Sequence, residues 1–287
     1  MESLGYSRSW RIPAHELSGL GLRRRRDGGE EMLAVSNNSF RVLSSDTGPG
    51  ATISRSRSLD DAVAAHTKGN ASEWEGIAAD GAGRIFVLQE EPGHVFVFDS
   101  AAKHLIQAIA LHVPDSGAGW ERSWRRHHNA RGETLVLLDR GRIPVIKQKD
   151  PVVLVEFGPR DDRAPDIRFL AHGDQFELPV ADELRPRRTW LLDGAAAREL
   201  ESISDAAVLG DRLFVLSAAS RCIAELEPLP AGGGAAGLKR EPWTVPDDIE
   251  QPEGLVVLPA SRRPIVAADL ERGDPRDNAF LLDPLPG

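Results

Sequence analysis

Cysteine is nearly absent. Cys222 is the only one in 287 residues, so no internal disulfide can staple the chain and no multi-cysteine metal site can form. Cations are scarce as well: 35 Lys and Arg against 44 Asp and Glu leave a formal net charge of −9, without the basic footprint that nucleic acids and anionic membranes require. No apolar run approaches the roughly 18 residues needed to span a bilayer, and the opening MESLGYSRSWRIPAHEL lacks the apolar core of a signal peptide. Walker, Rossmann-glycine, HExxH and GxSxG motifs are all missing, so nucleotide-dependent and serine-hydrolase chemistry have no positive support. These absences predict a soluble cytoplasmic protein whose partner is a small molecule, not nucleic acid or a membrane. With 41% hydrophobic and 28% charged residues, the chain has enough apolar surface to bury a core.

The pattern that organises the chain is a repeat. From Glu75, EGIAADGAGRIFVLQEEPGHVFVF reads as a strand, a Gly-rich turn, a second strand, a short loop and a third strand. The pattern returns at Glu133, again with an arginine nine residues after the acid, then at Asp205 and Glu253, and in weaker form at Ser18. The anchors 18, 75, 133, 205 and 253 are 57, 58, 72 and 48 residues apart. Units of this size with three or four short β-branched strands predict an all-β fold, a single β-propeller over residues 1–287. Five blades account for the chain. A sixth would have to hide in the long third interval, where about 159–186 reads as an insertion. AGGGAAG, 231–237, reads as a flexible loop. Trp10, Trp124 and Trp243, each eight to ten residues before an anchor, mark fourth strands and serve as apolar filler between blades. After the last repeat only AFLLDPLPG remains, enough for a third strand and no fourth, so the segment around Trp10 is expected to pair near Phe280 and close the ring.

In a propeller the first strands line a central channel, which sets Ser18, Glu75, Glu133, Asp205 and Glu253 at one level. Four carboxylates there need a counter-charge. Glu75, Glu133, Asp205 and Glu253 are therefore the candidate ligands of a divalent cation, calcium above others because it accepts many oxygens in flexible geometry. Hydrogen-bonded acids without a metal are the alternative. Loops ending the second strands return to the same face and bring Asn37, Gln89, Glu90, Gln148 and Asp269 to the mouth as substrate-binding candidates. His127 and His128 are candidate bases, and Arg131, Lys147 and Lys149 candidate stabilisers of an anionic substrate. Arg23–Arg26 reads as a solvated turn on the opposite face.

The segments EGIAADGAGRIFVLQEEPGHVFVFD, RGETLVLLDRGRIPVIKQKDPVVLVEFGP and PEGLVVL resemble the bacterial propellers of the esterase-like-activity-of-phytase group and, more distantly, the gluconolactonase and regucalcin propellers. The latter resemblance implies a central divalent metal that polarises a lactone or ester carbonyl, at positions matching Glu75, Glu133, Asp205 and Glu253. Gluconolactonase-like proteins usually have six blades and asparagine among the ligands, whereas this chain has five repeats and a carboxylate-rich set. Three readings follow: a metal-dependent hydrolase of a small ester, lactone or phosphoester; a non-catalytic scaffold with a structural acidic ring; and a tailoring enzyme that does not hydrolyse.

Overall fold

The computed structural model describes residues 2–25, 27–47, 53–67, 69, 71–115, 119–126, 131–159 and 166–286, with backbone only at 53–57. It is a five-bladed β-propeller. Blade 1 runs Leu17–Arg24, Glu30–Ser36, Ser39–Asp46, Ile53–Ser58 from the axis outward, and blade 2 runs Trp74–Ala79, Ile85–Gln89, His94–Phe98, Leu105–Leu111. Blade 3 is Gly132–Leu135, Ile143–Lys147, Val153–Gly158, Glu183–Leu192. Blade 4 is Asp205–Leu209, Arg212–Ser217, Cys222–Glu225, Trp243–Thr244, and blade 5 is Pro252–Val257, Pro264–Ala268, Ala279–Leu282. The N-terminal strand Tyr6–Trp10 completes blade 5, Ser9 pairing with Phe280 and Trp10 with Ala279, as the sequence predicts. One contribution was not foreseen: Glu2–Ser3 adds a parallel strand outside Trp243–Thr244, so the N-terminus ties blades 4 and 5 together.

Blades stacked face to face bury both sides of their middle strands, which is why IFVL, LFVL and PIVAA are continuous apolar runs, not alternating ones. Five separate cores result, one between each adjacent pair of blades, and each holds one buried tryptophan, Trp74, Trp124, Trp190, Trp243 and Trp10 in blade order, with the partly buried Trp120 packed against the second. The filler role expected of three tryptophans thus extends to five. Trp124, however, reaches its core from the helix Gly119–Arg126 and not from a fourth strand. The fourth strand of blade 2 ends earlier, at Leu111.

Other loops also differ from expectation. Gly234–Ala236, read as flexible, forms a parallel strand along blade 3, pairing with Trp190, Leu191 and Leu192. Arg23, read as solvated, is buried against Glu31 at 2.5 Å; Arg26 lies outside the described residues. The insertion lies between the third and fourth strands of blade 3. Its described part is clamped to blade 2, where the amide of Phe176 donates to Asp80 Oδ2 at 3.1 Å and that of Gly81 to the Asp174 carbonyl at 2.6 Å. Leu170, Ala171 and His172 of this segment line the far end of the channel, in a mainly apolar cavity of about 160 Å³. No helix among the described residues is long and apolar enough to cross a membrane.

Candidate functional site at the channel mouth

The near end of the channel is built by a recurring backbone device. In four inner strands the register slips at the anchor, between Leu17 and Gly19, Trp74 and Gly76, Gly132 and Thr134, and Pro252 and Gly254. Ser18, Glu75, Glu133 and Glu253 are therefore bulge residues, and a bulge re-aims its side chain out of the regular alternation. All four line a cavity of about 320 Å³. A glycine follows three of these anchors because the inner strands converge there: a Cβ on Gly19 would stand 2.3 Å from the Glu75 carbonyl oxygen, and one on Gly76 would stand 2.9 Å from the Thr134 Cα.

A second tier surrounds the bulges. The amides of Asn37, Glu90, Gln148 and Asp269, each just beyond a second strand, donate to the carbonyls of Glu16, Glu73, Arg131 and Gln251 at 3.2, 2.9, 3.3 and 2.9 Å. Three of those acceptors, Glu16, Glu73 and Gln251, hold left-handed backbone with φ of 52, 42 and 43°. All four donors line the cavity, as do Glu16 and Glu73. Of the five second-tier residues expected from sequence, Asn37, Glu90, Gln148 and Asp269 thus reach the mouth. Gln89 does not: it is buried one position earlier and donates to the carbonyls of Ala71 and Ser72 at 3.3 and 2.9 Å.

The same parity takes Lys147 out of the lining. Lys147 precedes Gln148 as Gln89 precedes Glu90; its side chain is 0% exposed and its amine donates to the Lys149 carbonyl. Lys149 is exposed and lies outside the cavity lining. Arg131 acts through its backbone. Its amide donates to Glu90 Oε1 at 2.7 Å, while its guanidinium binds the Trp124 carbonyl at 2.8 Å and Glu91. His127 and His128 lie outside the described residues.

Asp205 departs from the common level. Its strand has no bulge, and Asp205 pairs regularly with Leu216, the place taken by Gly19, Gly76, Thr134 and Gly254 elsewhere. Its carboxylate lies one layer down and stitches the channel shut. Oδ2 accepts the amides of Leu20 at 3.1 Å and Leu255 at 2.7 Å, Oδ1 accepts that of Ala206 at 2.8 Å, and the Thr134 hydroxyl donates as well. Burial pushes its pKa up to about 7 against these hydrogen bonds.

Two of the mouth carboxylates have no such partners, whereas Glu90 accepts the Arg131 amide and Glu253 the Ser204 hydroxyl. Glu75 and Glu133 are each 8% exposed, and among the described residues no hydrogen bond or ion pair reaches either carboxylate. Burial, then Glu90 and Glu253, push Glu75 up to about 8. Glu133 is held well above the ordinary range by burial and by Glu75 and Glu90. Glu253 rises to about 8 through burial and Asp269, and Glu90 to about 7 through burial, partly offset by the Arg131 amide. At neutral pH such a cluster shares protons or binds a cation. Glu90 was foreseen only as a substrate contact; the signal for more was its acid pair, QEE, at the end of a second strand.

No protein-family model matches the chain, and no curated protein does. Solved structures do share its fold. The Myxococcus xanthus glutaminyl cyclase superposes with a TM-score of 0.60 at 13% identity, over 99% of this chain and 98% of that one. A putative oxidoreductase (glucose dehydrogenase) of Thermus thermophilus gives 0.52 at 14%, over 98% and 100%. A Xanthomonas campestris gluconolactonase gives 0.49 at 12%, over 100% and 96%. At these identities the likeness is one of fold, and the site must be read from its own residues.

Proposed function

We propose that the channel mouth is a cation-assisted catalytic site that hydrolyses a small ester, lactone or phosphoester. The observation that carries this reading is the pair Glu75 and Glu133, buried carboxylates with no partner among the described residues in a cavity lined by further acids. A purely structural acid would be satisfied as Asp205 is, because an unpaired buried charge costs several kcal/mol, of order 3 or more. A divalent cation of the calcium class fits the donor set, which is all hard oxygen. Glu75 and Glu133 would hold it and water would complete its shell, since no three acidic or histidine side chains among the described residues converge as a metal cluster. Such an ion supplies Lewis-acid polarisation of a carbonyl or phosphoryl oxygen and a more acidic bound water. The chain's own contribution is placement. The bulges fix the glutamates, and Glu90, with Oε1 pinned by the Arg131 amide, offers Oε2 to receive a proton. The resemblance of the repeats to esterase-like-activity-of-phytase and gluconolactonase propellers supports the same class of carbonyl or phosphoryl chemistry.

The test is thermal unfolding of the full chain after chelation, with and without added calcium. Preferential binding to the folded state should raise Tm by several degrees once the ion exceeds about 100 times its Kd, and Glu133→Gln should remove most of the shift. If no divalent cation moves Tm and the metal-replete protein hydrolyses none of the three substrate classes, a non-catalytic scaffold replaces this reading.

A further inference from the structure

The mouth differs from a simple ion site in how its acceptors are distributed. They do not meet at a point; they ring a cavity of about 320 Å³, large enough for several non-hydrogen atoms. Acceptors also outnumber donors. Ser18, the hydroxyl among the lining residues, spends its proton on the Trp74 carbonyl. Asp269 Oδ1 and Gln148 Oε1 are buried oxygens without a hydrogen-bond partner among the described residues, and both residues line the cavity. The Glu75 and Glu133 carboxylates, 8% exposed, are likewise unpartnered among the described residues. Among the described residues no lysine or arginine lines the cavity: the register turns Lys147 behind the wall and Arg131 toward Glu91, and Lys149 stays outside the lining, where its charge only partly offsets the rise that burial imposes on Glu133 and Glu253. A ligand complementary to this surface brings positive charge and several N–H donors together, spread over more than one atom's width. An ammonium group carries three donors and a full charge.

We propose that the mouth recognises a small organic cation bearing a primary ammonium group, seated among Asp269, Glu253, Gln148 and the Glu75–Glu133 pair. The ligand is then an amine-bearing compound, not the anionic one that the lysines suggested from sequence. This goes beyond the preceding proposal: it uses the same cavity without a bound metal, and the ammonium and a divalent cation compete for the same carboxylates.

The experiment is calorimetric titration of the full-length protein, chelated and dialysed, at pH 8. Four probes are compared: n-butylammonium, tetramethylammonium, n-butanol and butyrate. The ammonium probe should bind at least tenfold more tightly than the other three, and the contrast with tetramethylammonium isolates the N–H donors from charge alone. Asp269→Asn and Gln148→Leu should each weaken it at least threefold; the second removes only a neutral acceptor at the mouth, so it remains interpretable if the first perturbs folding. Equal binding of the two ammonium probes overturns the donor argument, and preference for butyrate overturns the charge argument. Calcium binding without any binding or competition by n-butylammonium defeats this inference and leaves the cation-assisted reading standing. Binding of neither calcium nor n-butylammonium ends both.

Discussion

Two kinds of acid occupy the axis of this propeller a single residue layer apart, and they have opposite surroundings. Asp205 is enclosed by three amides and a hydroxyl from four blades. Glu75 and Glu133 have burial almost as deep and no described partner. Sequence similarity between the repeats hides the difference, which comes from a backbone bulge present at the glutamates and missing at the aspartate. An acid whose lone pairs are filled by its own fold stabilises that fold. An acid left unfilled at the cost of stability is available to something else.

Removing Asp205 is the largest test of that contrast. Asp205→Ala strands the Leu20 and Leu255 amides on the free edges of two inner strands, and each unsatisfied buried donor costs about 1–3 kcal/mol. Denaturant unfolding should show a loss of about 3 kcal/mol or more, with or without calcium. A variant of unchanged stability would mean that the stitch is dispensable.

The glutamates should respond in the opposite direction. Glu75 is raised from 4.5 to about 8 and Glu253 likewise, so between these limits the folded state holds protons that the unfolded chain has released. Stability therefore falls as pH rises from about 5 to about 8 and levels off beyond, at up to about 1.4 kcal/mol per pH unit for each such proton. In chelated protein at pH 8, Glu75→Gln should raise stability by about 1 kcal/mol or more and flatten the pH slope. A destabilised Gln variant with an unchanged slope would show that Glu75 has a hidden partner.

Much of this architecture was legible. The acid-to-arginine spacing, the Gly-rich turns and the unfinished last repeat place the blades and the closing strand, because both depend on local periodicity and on chain length left over. The level of Asp205 was not legible, since residue type does not announce a bulge. The available hint was the glycine after the anchor, present in Ser18-Gly19, Glu75-Gly76 and Glu253-Gly254 and absent from Asp205-Ala206, although Glu133-Thr134 carries a bulge without it. Lys147 lies away from the mouth for a related reason: alternation along a strand groups Lys147 with Lys149 but does not say which parity faces the axis. Gln89 and Lys147 share the outward parity, and Glu90 and Gln148 the inward one.

The smallest predicted effect concerns the backbone that holds the second tier in place. Gln251 is exposed, so its side chain contributes little to packing, yet its φ of 43° orients the carbonyl that receives the Asp269 amide. Gln251→Gly relieves the left-handed strain while loosening the unfolded chain, and the two effects nearly cancel, leaving a change within about 1 kcal/mol. Gln251→Val cannot hold that conformation cheaply and should lose about 1–3 kcal/mol. If the tier positions Asp269 for a ligand, the Val variant should also weaken n-butylammonium binding while the Gly variant retains it. Equal binding by both variants would separate the backbone device from recognition and leave it a purely structural feature of the mouth.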